Sequence, residues 1–122
     1  MARVLVADDA SFMRQMIREI VEAEGHEVVG EASDGDEAVQ EFKRLHPEIV
    51  TMDIVMPRRS GIDAVKGIME LDPGASIVMC SALGQETLVQ EAIQAGAKDF
   101  IVKPFKPDVV IATLQKVLEK GE

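Results

Sequence analysis

The sequence has few of the residues that build redox, ring-stacking and disulfide-stabilised sites. Its 122 residues include one cysteine, no tryptophan, no tyrosine and four phenylalanines. A single cysteine excludes an internal disulfide and suits a reducing compartment. The shortage of aromatic rings argues against pockets that stack a flavin or single-stranded nucleic acid.

Positive charge and long apolar runs are also scarce. The chain has 13 lysines and arginines against 22 aspartates and glutamates, a formal net charge of −9. Because basic side chains drive nucleic-acid binding by neutralising phosphates, this balance argues against a nucleic-acid partner. No apolar run approaches the roughly 18 residues of a membrane span, and the N-terminus has no signal-peptide pattern. We therefore expect a cytoplasmic globular protein without a membrane partner.

What the sequence does contain is a regular alternation of short apolar runs and amphipathic stretches. The runs cover residues 4–7, 28–29, 49–52, 77–80 and 100–102. Most are continuous, as strands buried on both faces require, whereas the second is flanked by charged residues and predicts an edge strand. The stretches between them have a helical period. In the first, Phe12, Met16 and Ile20 form one apolar stripe, and a second stripe beside it consists of Met13, Ile17 and Val21.

This alternation predicts an α/β fold with a parallel sheet covered by helices on both faces. Five strands and five helices fit a (βα)5 flavodoxin-like three-layer sandwich with strand order 2-1-3-4-5. We expect residues 1–122 to form one domain.

Polar residues stand where four of the predicted strands end. They are Asp8 and Asp9 after the first strand, Asp53 after the third, Ser81 after the fourth, and Lys103 with Pro104 after the fifth. In open parallel sheets, ligands bind beyond the carboxyl ends of the strands, where the strand order reverses. The sequence therefore predicts that these side chains meet in one site.

The residue types indicate phosphoryl chemistry. Clustered carboxylates at Asp8, Asp9 and Asp53 repel one another unless a cation lies among them, and oxygen ligands at a water-accessible loop suit Mg²⁺. Lys103 adds a compact positive charge and Ser81 a hydroxyl donor for a phosphoryl group. Since carboxylates form aspartyl-phosphates, Asp53 is a candidate nucleophile. Neither GxGxxG nor GxxxxGK[ST] follows any predicted strand.

Together these residues resemble the receiver domain of two-component response regulators over essentially the whole chain. The likeness extends through residues 53–57, Gly61 and residues 95–100. The run from Thr51 through residues 81–85 to residues 103–105 is most similar to single-domain chemotaxis regulators.

The resemblance implies a role for each site residue. Asp53 would accept a phosphoryl group from a histidine kinase. Asp9, Asp53 and the backbone carbonyl of Val55 would ligate Mg²⁺, while Asp8 would act mainly through water. Lys103 would contact the phosphoryl group, and the peptide bond after it would be cis.

The resemblance also implies a conformational switch. Ser81 would move toward the phosphoryl oxygen, and Phe100 would rotate into the vacated space. Phenylalanine lacks the hydroxyl of the tyrosine that is common at this position in the family. Val55 and Leu83 occupy the positions that tune water attack on the acyl phosphate. Because neither apolar side chain can orient a water, we expect slow self-dephosphorylation and a phosphatase partner.

The output is expected to come from docking. The sequence ends just after the fifth helix, which predicts a receiver without an output domain. We expect it to be a monomer. It would be no enzyme beyond catalysing its own phosphorylation and dephosphorylation. The resemblance implies a docking face on the fourth helix, fifth strand and fifth helix, including Gln90, Gln94, Lys98 and Phe100. Its partners would be a chemotaxis-type histidine kinase and a flagellar motor switch or adaptor protein.

Three other functions share part of this pattern. A single-domain phosphorelay intermediate has the same chemistry and differs only in its partner. A flavodoxin-type electron carrier has the same fold, but Asp8 and Asp9 would repel the FMN phosphate. An aspartate-based phosphohydrolase would need a second acid where Val55 stands.

Arg58 and Arg59 form a basic pair in the loop between Pro57 and Gly61, where the family usually has none. The pair predicts a local positive spot on an acidic protein that steers the phosphodonor, with salt-dependent phosphotransfer as its consequence.

Overall fold

The computed structural model describes residues 1–120 as an alternation of strands and helices. The strands are β1 (Arg3–Ala7), β2 (Glu27–Ala32), β3 (Ile49–Asp53), β4 (Ile77–Ser81) and β5 (Asp99–Val102). The helices are α1 (Ser11–Ala23), α2 (Gly35–Leu45), α3 (Gly61–Leu71), α4 (Glu86–Ala95) and α5 (Pro107–Lys120). All strand pairs are parallel, in the order β2-β1-β3-β4-β5. The predicted fold, strand order and edge position of β2 are confirmed.

Helices bury both faces of this sheet. On one face α2, α3 and α4 pack through a cluster that includes Phe42, Val65 and Val89. On the other face α1 and α5 pack through a cluster that includes Ile17 and Leu114. Every residue of β3 and β4 is buried, which explains their continuous apolar runs. Among residues 1–120, none of the helices combines the length and apolar character that a membrane crossing requires.

Two apolar side chains of these elements are exposed. Phe12, which we placed in an apolar stripe with Met16 and Ile20, is 68% exposed. At about 100° per residue it points roughly 140° away from Ile17, a buried residue of α1, so the prediction was wrong. In the last strand Phe100 is 43% exposed, because β5 forms the second edge of the sheet.

Gly61 lies directly against the end of β3. Its N–H donates to the carbonyl of Ile54 at 2.7 Å. A Cβ atom added at Gly61 would overlap the carbonyl oxygen of Asp53. A residue without a side chain therefore allows the loop to close tightly behind Asp53.

We expect Gly61→Ala to lower the free energy of unfolding by about 2 kcal/mol, because the backbone of β3 must shift to admit the methyl group. Gly74→Ala is the matched control, since the nearest atom to a Cβ there is Oδ1 of Asp72 at 3.4 Å. Urea denaturation followed by circular dichroism measures both variants. Equal losses of stability would contradict the packing argument.

Candidate functional site

Three carboxylates meet at the carboxyl edge of the sheet. Asp8 and Asp9 follow β1, and Asp53 is the last residue of β3, the neighbouring strand. One oxygen atom from each lies within 4.8 Å of the other two. Asp8 and Asp53 are buried, whereas Asp9 is exposed. The structure thus brings together the acids that the sequence places at separate strand ends.

Lys103 reaches this cluster from the end of β5. Its Nζ donates to Oδ2 of Asp8 at 3.0 Å and to Oδ1 of Asp53 at 3.3 Å. Burial alone would lower the pKa of Lys103, but the hydrogen bonds and charges of these two acids raise it overall. Lys103 therefore remains a charged ammonium group. The peptide bond between Lys103 and Pro104 is cis, as the resemblance implies.

One ammonium group does not neutralise three carboxylates. Burial, followed by the charge of Asp8, raises the pKa of Asp53 to about 6, although Lys103 acts in the opposite direction. A divalent cation among the acids would relieve this repulsion. The hard oxygen donors, one of them on the exposed Asp9, are the kind that Mg²⁺ takes. The resemblance implies that the backbone carbonyl of Val55 is a further ligand. Val55 lies in the loop after β3.

Ser81 and Phe100 border one cleft between α4 and β5. Ser81 is the last residue of β4 and is buried, while the exposed Phe100 lies on the adjacent β5. The cleft has a volume of about 270 Å³ and is also lined by Val89. Since an apolar cavity of about 150 Å³ admits benzene, a phenyl ring fits this space. Phe100 thus borders the cleft into which the resemblance would rotate its ring.

Val55 and Leu83 are both solvent-exposed. Their exposed fractions are 56% and 81%. Both lie in loops that follow strand ends of the site, after β3 and after β4. Water has access to these positions, but the side chains offer it no hydrogen-bonding group.

Arg58 and Arg59 are paired with acids near the start of α2. Nη1 of Arg58 lies 2.7 Å from Oδ2 of Asp34, and Nη1 of Arg59 lies 3.8 Å from Oδ1 of Asp36. These acids offset the positive spot predicted from the sequence, so we expect only a weak contribution to salt-dependent phosphotransfer. Sequence reasoning missed the pairing, because Arg58 and Asp34 are 24 residues apart.

Comparison with known proteins identifies this arrangement. The family model described as the response regulator receiver domain matches residues 4–115. The chain belongs to the response regulator receiver family. This receiver is 59% identical over 115 residues to the chemotaxis protein CheY of Thermotoga maritima, a match that covers 94% of this chain and 96% of that protein.

Solved structures agree with this assignment. NtrX from Brucella abortus superposes on this receiver with a TM-score of 0.92 at 34% identity, over 98% of this chain. The receiver spans 28% of that longer chain. A chain of the CheX–CheY–BeF3–Mg²⁺ complex from Borrelia burgdorferi has a TM-score of 0.90 at 40% identity, covering 94% of this chain and 87% of that chain.

Family membership decides between the general alternatives. The chain is a receiver domain of the chemotaxis-regulator type, a signalling switch rather than a conventional enzyme. Receiver domains bind Mg²⁺ at an acidic pocket, and Asp8, Asp9 and Asp53 form an acidic cluster here. The flavodoxin-type carrier and the phosphohydrolase are set aside.

Proposed function

We propose that this receiver is a phosphorylation-activated switch that accepts a phosphoryl group from a histidine kinase on Asp53 in the presence of Mg²⁺. The convergence of three carboxylates and Lys103 in one pocket carries the proposal. Both oxygens of Asp8 accept hydrogen bonds, from the N–H of Ala10 at 2.9 Å and from Lys103. Within residues 1–120, Asp53 accepts one side-chain hydrogen bond, from Lys103 on Oδ1, which leaves Oδ2 as the attacking atom.

Each side chain has a task in the transfer. Bound Mg²⁺ supplies positive charge that neutralises the phosphoryl oxygens. Asp9, Asp53 and the carbonyl of Val55 would hold the ion, with Asp8 acting through water. The Asp53 oxygen forms a bond to phosphorus as the bond between phosphorus and the donor nitrogen breaks. Lys103 offsets the charge on the transferred group.

The phosphoryl group then shifts the equilibrium between two conformations of Ser81 and Phe100. The hydroxyl of Ser81 donates to a phosphoryl oxygen and moves toward it. The ring of Phe100 enters the 270 Å³ cleft beside Ser81. This rotation removes an exposed aromatic ring from β5 and changes the surface that a partner meets.

The docking face is formed by α4, β5 and α5. A second cleft of about 410 Å³ there is lined by Phe100, Val102 and Val109, all of them exposed. Gln90 and Gln94, which we assign to the same docking face, are exposed on α4. Lys98 is also exposed, and its Nζ donates to the carbonyl of Gly74 at 3.3 Å.

We expect the partner on this face to be a flagellar motor switch or adaptor protein, supported by the likeness to CheY of Thermotoga maritima. A phosphorelay intermediate would instead hand its phosphoryl group to a histidine phosphotransferase. Pull-downs from the source cell, with phosphorylated and unphosphorylated protein, separate the two. Recovery of motor components supports the chemotaxis role, and recovery of a phosphotransferase supports the relay.

Labelling tests the phosphoryl chemistry itself. The wild-type chain, incubated with acetyl phosphate and Mg²⁺, is expected to form a hydroxylamine-sensitive acyl phosphate that intact mass measurement detects. With EDTA in place of Mg²⁺, the label is expected to disappear. Absence of label in both conditions, or equal label in both, would contradict the proposed function.

The label is expected to decay faster when polar side chains replace the two exposed apolar residues. Val55→Asn combined with Leu83→Glu should raise the rate of loss about tenfold, because these groups can orient an attacking water. Leu71→Glu combined with Ile93→Asn is the matched control, since both positions are exposed but lie on α3 and α4, outside the loops of the site. Decay is followed by intact mass after removal of acetyl phosphate. Equal decay in both double variants would refute the role of these positions.

A further inference from the structure

Arg14, on α1, contacts the loop that carries Asp8 and Asp9. Its Nη1 donates to the backbone carbonyl of Asp8 at 2.6 Å, and its Nε donates to Oε1 of Glu31 at 2.8 Å. The Arg14 side chain is only 17% exposed. We propose that Arg14 is a positioning residue for the metal-binding loop, acting through the main chain of Asp8. The inference rests on the proposed Mg²⁺-dependent function.

Asp8 is held from four directions. Its N–H donates to the carbonyl of Ala32 at 2.9 Å. Its carboxylate accepts from the N–H of Ala10 at 2.9 Å and from Lys103 at 3.0 Å. The fourth contact, from Arg14, reaches the carbonyl that lies in the same peptide plane as the N–H of Asp9. Arg14 thereby sets the orientation of the peptide from which the exposed metal ligand Asp9 extends.

Arg14 is itself fixed by an ion pair with the edge strand β2. Glu31 accepts from Arg14 on Oε1 and from Nη2 of Arg18 on Oε2, both at 2.8 Å. Burial alone would raise the pKa of Glu31, but the hydrogen bonds from the two arginines lower it overall. The carboxylate therefore stays ionised and anchors both guanidinium groups. Only one of these, on Arg14, also contacts Asp8.

If Arg14 orients the metal-binding loop, its removal should weaken Mg²⁺ binding, whereas the loss of its positive charge alone should strengthen it. Removing a positive charge near an acid cluster should strengthen cation binding by Coulomb attraction. Removing a group that orients the loop should weaken it, since partners beyond the ligands themselves contribute roughly ten- to a hundredfold to metal affinity. A weakening in an Arg14 variant therefore indicates positioning.

Mg²⁺ titration calorimetry at constant ionic strength tests the inference. Arg14→Gln is expected to bind Mg²⁺ about tenfold more weakly than the wild type. Arg18→Gln is the matched control. Like Arg14→Gln, it removes one positive charge and one ion pair with Glu31, but it leaves the contacts of Asp8 unchanged. We expect its affinity to stay within about twofold of the wild type.

The outcomes separate this inference from the proposed function. A wild-type chain that binds no Mg²⁺ would overturn both. Binding by the wild type with equal affinities in Arg14→Gln and Arg18→Gln would overturn the positioning role alone. Circular dichroism without Mg²⁺ checks that each variant is folded. If Arg14→Gln does not fold, Arg14→Lys takes its place, with affinity expected about threefold below the wild type because lysine lacks the guanidinium fork. Affinity equal to that of Arg18→Gln would then overturn the role.

Discussion

Asp53→Asn is expected to reduce the acyl phosphate formed from acetyl phosphate and Mg²⁺ by at least about a hundredfold. An amide oxygen is a far weaker nucleophile than a carboxylate, so the bond to phosphorus does not form. The substitution preserves the size of the side chain, and its Oδ1 can still accept the hydrogen bond from Lys103. The loss should therefore be chemical rather than structural. Intact mass measurement during the reaction gives the labelled fraction.

Asp63→Asn is the control for this experiment. Asp63 is an exposed acid in the first turn of α3, and its removal changes the net charge by the same amount. Labelling of this variant is expected to equal that of the wild type. Undiminished labelling of Asp53→Asn would show that another residue is the acceptor and would overturn the proposed role of Asp53.

Asp53→Asn is also expected to stabilise the metal-free protein at neutral pH by about 3 kcal/mol. The pKa of Asp53 is raised from 3.8 to about 6, first by burial and then by the charge of Asp8. The folded protein therefore binds a proton more tightly than the unfolded chain does. Its stability falls as the pH rises from about 4 to about 6, and the loss is complete above that range. An asparagine does not ionise and avoids the loss.

Thermal unfolding in EDTA between pH 4 and pH 8 measures this effect. We expect the variant to unfold about 10 °C above the wild type at pH 8, with the difference shrinking toward pH 4. Asp63→Asn again serves as the control, because Asp63 lies outside the acidic pocket. A difference that is absent at pH 8, or equally large at pH 4, would contradict the charge repulsion inferred for the cluster.

Much of the fold and the composition of the pocket could be predicted from the sequence. Continuous apolar runs predict strands that are buried on both faces, and every residue of β3 and β4 is indeed buried. The polar residues of the pocket are at the last position of a strand or directly after it, so the parallel sheet alone brings Asp8, Asp53 and Lys103 to one edge. Local pattern and topology are sufficient for these predictions.

Other features depend on tertiary contacts that no local pattern encodes. The pairing of Arg58 with Asp34 and the contact of Arg14 with the Asp8 carbonyl depend on where long side chains extend after folding. Phe12 was mispredicted because its spacing fits a helical stripe, whereas the buried face of α1 is centred on Ile17 and Val21. Two adjacent apolar stripes were predicted for this helix, and apolar character did not reveal which of them is the more buried.

The span of the pocket along the chain has a consequence for synthesis on the ribosome. Lys103 contacts Asp8 across 95 residues of sequence and Asp53 across 50. A nascent chain would carry all three acids well before the strand that delivers their counterion has emerged, and such distant pairings form late in folding. The chain could therefore accept a phosphoryl group only after β5 has joined the sheet. Incompletely synthesised chains would not be phosphorylated and would not signal.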